Sequence, residues 1–291
     1  MKITIFTPSY NRAYRLNDLY LSLLKQSFQD FEWIIIDDGS TDETERIVKG
    51  FLLDNKIVIR YRKQENKGKH VAINEGVLLA KGLLFFIVDS DDKLPSNALE
   101  IINNKFKNLT FRNGAGVVGR KSNFDRKIVG SSFHFEDKIS NPIDIRFKEH
   151  LQGDLAEVFV TNILKKYPFP EFENERFCPE ALIWNRIAND YDFLYFNESI
   201  YECEYLEDGL TSKIVKIRMR APKASMLYYS ELESLNIPFV QKIKANINFW
   251  RFSFNSSKYS LLQKFKRVNL GFTLIGLPLG FLLYLKDKKT T

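Results

Sequence analysis

The first hundred residues alternate between short apolar segments and segments whose apolar residues recur at helical spacing, and this alternation constrains the fold most strongly. Stretches at 2–7, 31–36, 57–61 and 83–88 have the length and β-branched or aromatic content of strands. Each is followed by a segment typical of a helix. Such a β-α repeat predicts an α/β fold with a mainly parallel sheet and helices on both faces. Ligands of these sheets bind beyond the carboxyl ends of the strands.

The fourth predicted strand ends in an acidic cluster. Six apolar residues, 83–88, are followed directly by Asp89-Ser90-Asp91-Asp92. Neighbouring carboxylates repel one another, and Mg²⁺ or Mn²⁺ commonly joins one or two of them to the phosphates of a substrate. We therefore predict a metal–phosphate site, with Asp91 as the main ligand and Asp89 or Asp92 assisting. A polar turn that closes the strand is the structural alternative.

A second acidic pair, Asp37-Asp38, follows the second predicted strand. Ser40 and Glu43 match a capping box, which predicts that a helix begins at Ser40 and runs toward Phe51. Capping leaves the two aspartates unexplained. Carboxylates at a strand end can accept hydrogen bonds from a nucleoside base or ribose, so we assign this pair to ligand binding.

A short basic loop, Lys67-Gly68-Lys69, precedes a predicted helix. Lysine is electrostatically unfavourable at a helix N-terminus, and its presence there indicates an anionic ligand such as a diphosphate. A solvated basic loop explains the same residues equally well.

The bulk composition narrows the class of protein. The chain has 291 residues, 44% of them hydrophobic, and a formal net charge of +7. This composition excludes wholesale disorder. Basic residues cluster at 213–223, 264–267 and 286–289, but no nucleic-acid recognition motif accompanies them, so we predict no nucleic-acid partner. Two cysteines, Cys178 and Cys203, and the lack of a secretory signal at Met1-Lys2-Ile3 favour the reducing cytoplasmic side.

The C-terminal stretch 268–285 is apolar, and lysines flank it on both sides. About 20 apolar residues are needed to cross a bilayer, so this stretch is marginal as a membrane span. Pro278 and the flanking charges favour an interfacial or re-entrant anchor on an anionic membrane. A helix packed on protein, or a homo-oligomer contact, is the alternative.

Four motifs in the first hundred residues together resemble the family 2 glycosyltransferases of the GT-A fold. In chain order they are Thr7-Pro8-Ser9-Tyr10-Asn11-Arg12, Ile36-Asp37-Asp38-Gly39-Ser40-Thr41-Asp42, Asn66-Lys67-Gly68 and Asp89-Ser90-Asp91-Asp92. Their order and spacing make the resemblance specific, although each motif alone would be weak.

The resemblance implies a nucleotide-diphosphate sugar as donor, usually a UDP-sugar, with Mg²⁺ or Mn²⁺ on the Asp-x-Asp motif. It also implies a hexosyltransferase-like reaction with inversion at the anomeric carbon, in the setting of bacterial surface polysaccharide synthesis. The resemblance places Pro8, Tyr10, Arg12 and Asp38 around the nucleoside and Asp91 on the metal. The other residues that we expect to contact the nucleotide or donor are Asp37, Lys67, Gly68, Lys69, Asp89, Ser90 and Asp154.

The acceptor, a hydroxyl of a glycan or lipid-linked molecule, needs a general base. Glu180 follows Pro179 at a predicted helix start, where the resemblance places an acidic base, although the helix dipole alone also favours a glutamate there. The family often carries Glu-Asp at this point, whereas Ala181 follows Glu180 here. Asp154 is a second candidate, and we assign Glu207 and Asp208 to the acceptor side.

The predicted organisation is a nucleotide-sugar half at 1–110, an acceptor half at 111–215, a basic helical extension at 216–267 and an apolar tail at 268–291. We expect a cytoplasmic protein associated with the inner face of the membrane. Two other functions fit parts of the pattern: a nucleotidyltransferase, although the first strand lacks a Gly-rich phosphate loop, and a non-catalytic nucleotide- or carbohydrate-binding scaffold.

Overall fold

The computed structural model describes residues 2–107, 113–131, 133–204 and 213–290. The chain divides into two compact units. The first comprises Met1–Phe169 and Arg186–Glu204, and the second Pro170–Asn185 and Tyr205–Thr291. The predicted functional boundaries at residues 110, 215 and 267 remain predictions.

The first part of the first unit contains the four predicted strands and four helices. They are β1 (Ile3–Ser9), α1 (Ala13–Leu24), β2 (Phe31–Asp37), α2 (Thr44–Asp54), β3 (Val58–Lys63), α3 (Lys69–Leu79), β4 (Leu84–Ile87) and α4 (Ala98–Lys107). The strands pair in parallel in the order β3-β2-β1-β4. Their carboxyl ends therefore meet at one edge of the sheet, as the sequence predicts.

The remainder of the first unit extends this sheet to eight strands in the order β3-β2-β1-β4-β7-β5-β8-β6. The added elements are β5 (Gly114–Ser122), β6 (Asp137–Ser140), α5 (Pro142–Phe147), β7 (Leu155–Val160), α6 (Thr161–Leu164) and β8 (Asp192–Glu202). Strand β7 is antiparallel to both of its neighbours, β4 and β5, whereas β5 and β8 are parallel. The predicted α/β class with a mainly parallel sheet is confirmed.

The core of the first unit lies on both faces of the sheet. Every residue of β2 is buried, because helices cover the two faces. On one face Trp33 packs with Tyr20 of α1 and Phe51 of α2, and the last two rings stack at a centroid distance of 4.2 Å. This packing fixes β1 and β2 and so positions the loops that leave their carboxyl ends.

The described helices of the second unit are α8 (Ile214–Arg220), α9 (Pro222–Ser234), α10 (Phe239–Ser253), α11 (Leu261–Phe265), α12 (Leu270–Thr290) and the first part of α7 (Glu180–Ile187). Phe249 and Trp250 of α10 form a small core with Met226 of α9, and partly buried residues of α9, α11 and α12 pack against it. The predicted helical C-terminal segment is therefore confirmed. Within the described part of the chain, one stretch, Leu270–Lys289, is long and apolar enough to cross a membrane by length and composition.

Some local predictions are wrong. Helix α2 begins at Thr44 rather than at Ser40, because the Ser40 hydroxyl accepts the N–H of Asn11 instead of capping the helix. The segment 127–130 has the sequence of a short strand, but it forms one bridge between Ile128 and Ser122. The alternation of Tyr201, Cys203 and Tyr205 predicts a strand through residue 205, whereas the strand there, β8, ends at Glu202.

Candidate functional site

The candidate site lies at the carboxyl ends of β1, β2 and β4. Ser9 of β1 is in register with Asp37 of β2, and on the other side the N–H of Val88 donates to Phe6 of β1 at 2.8 Å. The loop after β1 is thus flanked by the loop that carries Asp38 and by the loop that begins at Asp89. The structure therefore brings three of the four predicted motifs to one edge of the sheet.

The acidic pair after β2 shapes the loops around it. Asp37 is fully buried and accepts hydrogen bonds from the N–H of Ser40 and the hydroxyl of Tyr61, each at 2.7 Å. Asp38 accepts from the backbone N–H groups of Lys67 and Gly68, each at 2.8 Å. The pair therefore joins the end of β2 to the basic loop, which is the fourth motif.

The loop after β1 is fixed by polar side chains from the loop after β2. Asn11 has φ of 52°, and its side-chain oxygen accepts the N–H of Thr41 at 2.8 Å. Its own N–H donates to the Ser40 hydroxyl at 2.9 Å, and Asp42 accepts from the N–H of Ala13 at 3.1 Å. These bonds set the path of the chain from Tyr10 to Arg12 and so the position of the Arg12 side chain.

Two cations of the predicted donor site lie against the acidic cluster. Lys69 Nζ is 2.6 Å from Asp89 Oδ1. Arg12 Nε is 3.7 Å from Asp91 Oδ2, which is too long for a hydrogen bond. Both pairs are partly exposed, with side-chain exposures between 28% and 35%, so a ligand can reach them from solvent.

Tyr201 of β8 holds the acidic turn in place, and the sequence reasoning gave this residue no role. Its hydroxyl donates to Asp92 Oδ2 at 2.6 Å and accepts the N–H of Asp89 at 2.9 Å. The tyrosine is 109 positions beyond Asp92, so only the pairing of β8 in the sheet brings them together. The alternation around Tyr201 indicates a strand but not which loop its ring reaches.

The carboxylates of the cluster titrate differently. Burial and, next, the neighbouring charge of Asp89 together raise the pKa of Asp92 to about 7, against the hydrogen bond from Tyr201. Burial also acts on Asp89, but the charges of Lys69, Lys121 and Arg12 outweigh it and hold the pKa of Asp89 below its ordinary value. Within the cluster, Asp89 therefore stays ionised to lower pH than Asp92 does.

Asp154 lies within electrostatic reach of Cys203, as two aspartates of the cluster do. Burial raises the pKa of the Cys203 thiol to about 11, against the charge of Lys121, and the charges of Asp92, Asp154 and Asp89 contribute to the rise. Asp154 is exposed at the start of β7, next to Gly153. Asp154 and the cluster therefore act on the same thiol, and the donor or acceptor contact of Asp154 stays a prediction.

The donor set suits a hard divalent ion only in part. Within residues 2–107, 113–131, 133–204 and 213–290, no group of three or more His, Cys, Asp or Glu side chains is arranged to hold a metal by protein ligands alone. Asp91, however, presents a partly exposed carboxylate, and Arg12 Nε stands 3.7 Å from it. An ion held by one or two carboxylates and completed by phosphate and water oxygens fits these residues.

The other predicted residues fall in different places. Pro8 and Ser90 lie at the same edge, partly and fully buried respectively, and the ring of Tyr10 is 47% exposed there. Glu180 is the first residue of α7 and belongs to the second unit, whereas the acidic cluster belongs wholly to the first. Glu207 and Asp208 lie outside the described residues.

Comparison with known proteins adds a family and close relatives. The profile described as glycosyl transferase family 2 matches residues 4–161. The chain is 38% identical over 268 residues to the putative teichuronic acid biosynthesis glycosyltransferase TuaG of Bacillus subtilis, an alignment that covers 89% of this chain and 97% of TuaG.

Three solved structures, of two proteins, share the fold. TarS of S. aureus superposes with a TM-score of 0.67 at 18% identity, over 99% of this chain and 54% of that one. Its 1–349 fragment with UDP-GlcNAc gives 0.64 at 21% identity, over 97% and 84% of the two chains. The mannosyltransferase PcManGT of Pyrobaculum calidifontis, with GDP-Man and Mn²⁺, gives 0.58 at 16% identity, over 99% and 88%. The GT-A fold expected from the sequence motifs is thereby confirmed.

Proposed function

The chain belongs to glycosyl transferase family 2, and from that premise we propose that it transfers a hexose from a UDP-sugar to a hydroxyl of a glycan or lipid-linked acceptor, with inversion. The observation that carries the proposal is the acidic cluster at the carboxyl ends of three parallel strands, with Lys69 and Arg12 against it. A sheet edge of this kind is where nucleotides bind in α/β folds. A TarS fragment of the same fold is bound to UDP-GlcNAc, which supports the donor class.

The nucleoside side of the proposed site comprises Pro8, Tyr10, Arg12 and Asp38. The exposed ring of Tyr10 offers a surface on which a base can stack. Each oxygen of Asp38 has two acceptor sites, and Asp38 Oδ2 has one donor, the N–H of Gly68, so it retains capacity for a base N–H or a ribose hydroxyl. Asp37, fully buried, supports this surface by holding Ser40 and Tyr61.

The diphosphate side comprises Asp91 and Asp89 as metal ligands, with Ser90 between them and Lys67, Gly68 and Lys69 beside them. Mn²⁺ or Mg²⁺, when bound there, would neutralise the negative charge that grows on the departing diphosphate. Lys69 stabilises that charge through its ammonium group, which stands 2.6 Å from Asp89. Tyr201 orients the turn that carries the three carboxylates. PcManGT is bound to GDP-Man and Mn²⁺, which supports a metal at such a site.

Glu180 is the proposed general base, which removes the proton of the acceptor hydroxyl as the sugar is attacked from the face opposite the diphosphate. Its half-buried place at the start of α7 limits its contact with water. Asp154, whose charge acts on Cys203 as those of Asp89 and Asp92 do, is the second candidate. Glu207 and Asp208 complete the proposed acceptor side.

The proposed setting is the inner face of the cell membrane. TuaG, whose name assigns it to teichuronic acid biosynthesis, aligns over nearly its whole length and supports a surface polysaccharide or its precursor as acceptor. The apolar helix α12 and the basic residues around it support a location at a membrane, where lipid-linked precursors are found.

A thermal-shift panel of nucleotide sugars, with and without Mn²⁺, tests the donor class. A ligand that binds only the folded chain raises the melting temperature by mass action. We expect one UDP-sugar to stabilise the protein with Mn²⁺ present and much less without it. A panel in which no nucleotide sugar shifts the melting temperature contradicts the proposal.

Release of UDP in the presence of acceptor separates an enzyme from a binding scaffold. Glu180→Gln should lower the rate of release by about a hundredfold or more while donor affinity stays unchanged. Asp154→Asn is measured beside it. If Glu180→Gln stays active and Asp154→Asn loses UDP release, Asp154 is the base. A nucleotidyltransferase would instead release inorganic pyrophosphate from a nucleoside triphosphate.

A further inference from the structure

One face of α12 is tied to α10 by close backbone packing. A Cβ on Gly276 would meet Asn246 Oδ1 at 1.8 Å, and one on Gly280 would meet the Ile247 carbonyl oxygen at 2.7 Å. About one turn before Gly276, Thr273 Oγ1 accepts the indole N–H of Trp250 at 3.3 Å. Glycines four residues apart therefore let the two helices approach closely along this face.

The same face of α12 ends in an ion pair. Arg251 of α10 contacts Asp287 through Nε at 2.6 Å and Nη2 at 2.8 Å, and the two side chains are only 17% and 9% exposed. A two-point contact of this kind fixes orientation as well as distance. Helix α12 is thus held against α10 at residues 273 to 287, by polar groups as well as by packing.

The opposite face of α12 is apolar and exposed. At 100° per residue its members cover about half of the helix circumference over about 22 Å of length, and no charged residue lies between 270 and 285. Leu274 is 81% exposed, Leu270 64% and Leu282 61%. We call this surface the apolar face of α12; it consists of Leu270, Leu274, Ile275, Leu279, Leu282 and Leu285.

Exposed cations border the apolar face at both ends. Lys288 and Lys289 follow it along α12, and Lys266 and Arg267 precede it. Asp287, the acid among these residues, is buried against Arg251 and does not offset their charge at the surface. A continuous apolar strip between basic residues is complementary to an anionic lipid surface, in which acyl chains lie beneath acidic headgroups.

We propose that the apolar face of α12 binds an anionic bilayer in the plane of its surface, and that α12 does not cross the membrane. A crossing would carry Asn246, Arg251 and Asp287, which hold α12 to α10, into hydrocarbon that cannot solvate them. Lying flat, the helix buries its leucines among the acyl chains and keeps α10 on the water side. The inference deepens the membrane setting of the proposed function by naming the surface that makes the contact.

Flotation with lipid vesicles tests this surface on the full chain. We expect binding to vesicles of phosphatidylcholine with phosphatidylglycerol, and weak binding to phosphatidylcholine alone. Leu274→Asp with Leu282→Asp should weaken binding by at least about tenfold, since two leucines leave the acyl region. Lys288→Glu with Lys289→Glu should weaken it by at least about fivefold per lysine.

A matched control separates this face from general surface hydrophobicity. Leu53 and Leu78 are 87% and 71% exposed on helices of the first unit, and Leu53→Asp with Leu78→Asp should leave vesicle binding unchanged. Alkaline carbonate should release the wild-type chain from vesicles, as it does surface-bound proteins. Resistance to carbonate would show a spanning helix and overturn the proposal.

Two further results would also overturn it: vesicle binding that survives the Leu274 and Leu282 changes, or a wild-type chain that does not bind vesicles. If a wild-type chain that does not bind vesicles is a dimer by light scattering, and the leucine variants are monomers, the apolar face is an interface between two copies instead. The melting shift with a UDP-sugar is measured on every variant. Because the leucine positions lie outside the donor site, that shift separates failure of this inference from failure of the proposed reaction.

Discussion

At the scale of single residues, the acidic turn depends on a tyrosine hydroxyl from a distant strand. Tyr201 donates to Asp92 and accepts from the N–H of Asp89 at the same time. Removing the hydroxyl leaves a buried carboxylate and a backbone N–H without these bonds. The turn that carries Asp91 would then lose its main lateral support.

Tyr201→Phe should lower the free energy of unfolding by about 1–3 kcal/mol, the usual cost of leaving a buried polar group unpaired. It should also weaken Mn²⁺-dependent donor binding, because the carboxylates are no longer held in one orientation. Tyr195→Phe, at a buried position on the same strand, serves as control and should leave donor affinity unchanged. Urea unfolding and calorimetry measure the two effects. If donor affinity is equal in wild type and Tyr201→Phe, Tyr201 does not contribute to donor binding.

The two lysines of the basic loop should differ in importance. Lys69 Nζ contacts Asp89 at 2.6 Å. Lys67 is exposed, and it donates its backbone N–H, rather than its side chain, to Asp38. Lys69→Gln should therefore weaken UDP-sugar binding by about tenfold or more, and Lys67→Gln by less. Titration calorimetry of both variants checks the order. A larger effect at Lys67 would mean that the diphosphate lies away from the acidic cluster.

At the scale of elements, a buried charge joins β1, β2 and β3. Glu32 of β2 accepts the Thr4 hydroxyl and the N–H of Lys81, and it pairs with Arg60 of β3. Burial raises the pKa of Glu32, but these hydrogen bonds and the charge of Arg60 outweigh burial and leave the pKa below its ordinary value of 4.5. The stability that Glu32 contributes is therefore fully present above pH 4.5 and is lost as the pH falls through its folded-state pKa.

Glu32→Gln tests this linkage. It should cost about 1–3 kcal/mol near neutral pH, where the carboxylate is ionised and bonded. It should also flatten the decline of stability with acid below pH 4.5 compared with wild type. Urea unfolding across this range measures both. If the free energy of unfolding falls as steeply below pH 4.5 in the variant as in wild type, other carboxylates cause the acid sensitivity.

The close packing of α12 on α10 gives a second element-scale prediction. Gly280→Val should destabilise the second unit by about 1–3 kcal/mol, because the added atoms would meet the backbone of α10, including the Arg251 nitrogen at 2.8 Å. Gly50→Ala in α2 meets nothing within 4 Å and should be neutral or stabilising by up to about 1 kcal/mol. Thermal unfolding distinguishes them. A neutral Gly280→Val would mean that α12 does not hold this position on α10.

Sequence patterns predict the first four β-α repeats because each is a local signal: a buried strand, then apolar residues at helical spacing. They also predict the start of α7. They do not predict that β7 runs antiparallel between β4 and β5, since strand pairing depends on residues far apart in the chain. Ser40 shows a related limit, because its match to a capping box gives way to a bond with Asn11 from another loop.

The candidate site was predictable to a similar extent. Asp89, Asp91 and Lys69 are identified by their places at strand and helix ends, and the structure brings them together. Tyr201 could not be found in this way, because its role depends on the register of β8 rather than on any neighbouring residue.

At the scale of the whole molecule, donor binding and membrane binding should be separable. The residues proposed for the donor lie in the first unit, and the apolar face of α12 lies in the second. A UDP-sugar with Mn²⁺ should protect amides at 9–12, 38–42, 64–69 and 89–92 from hydrogen exchange. Vesicles should protect α12 instead. Protection confined to α12 when the donor is added would contradict the placement of the donor site.

The central claim is that Asp91 and a divalent ion together bind the diphosphate of the donor. Titration calorimetry of a stabilising UDP-sugar with wild type, Asp91→Asn and Asp30→Asn tests it most directly. Asp30 serves as the control because it lies at the amino end of β2, at the opposite edge of the sheet. We expect chelation of the metal or loss of the Asp91 carboxylate to weaken binding by at least about tenfold, with Asp30→Asn unchanged. Affinity that is indifferent to both chelator and Asp91→Asn would contradict the claim.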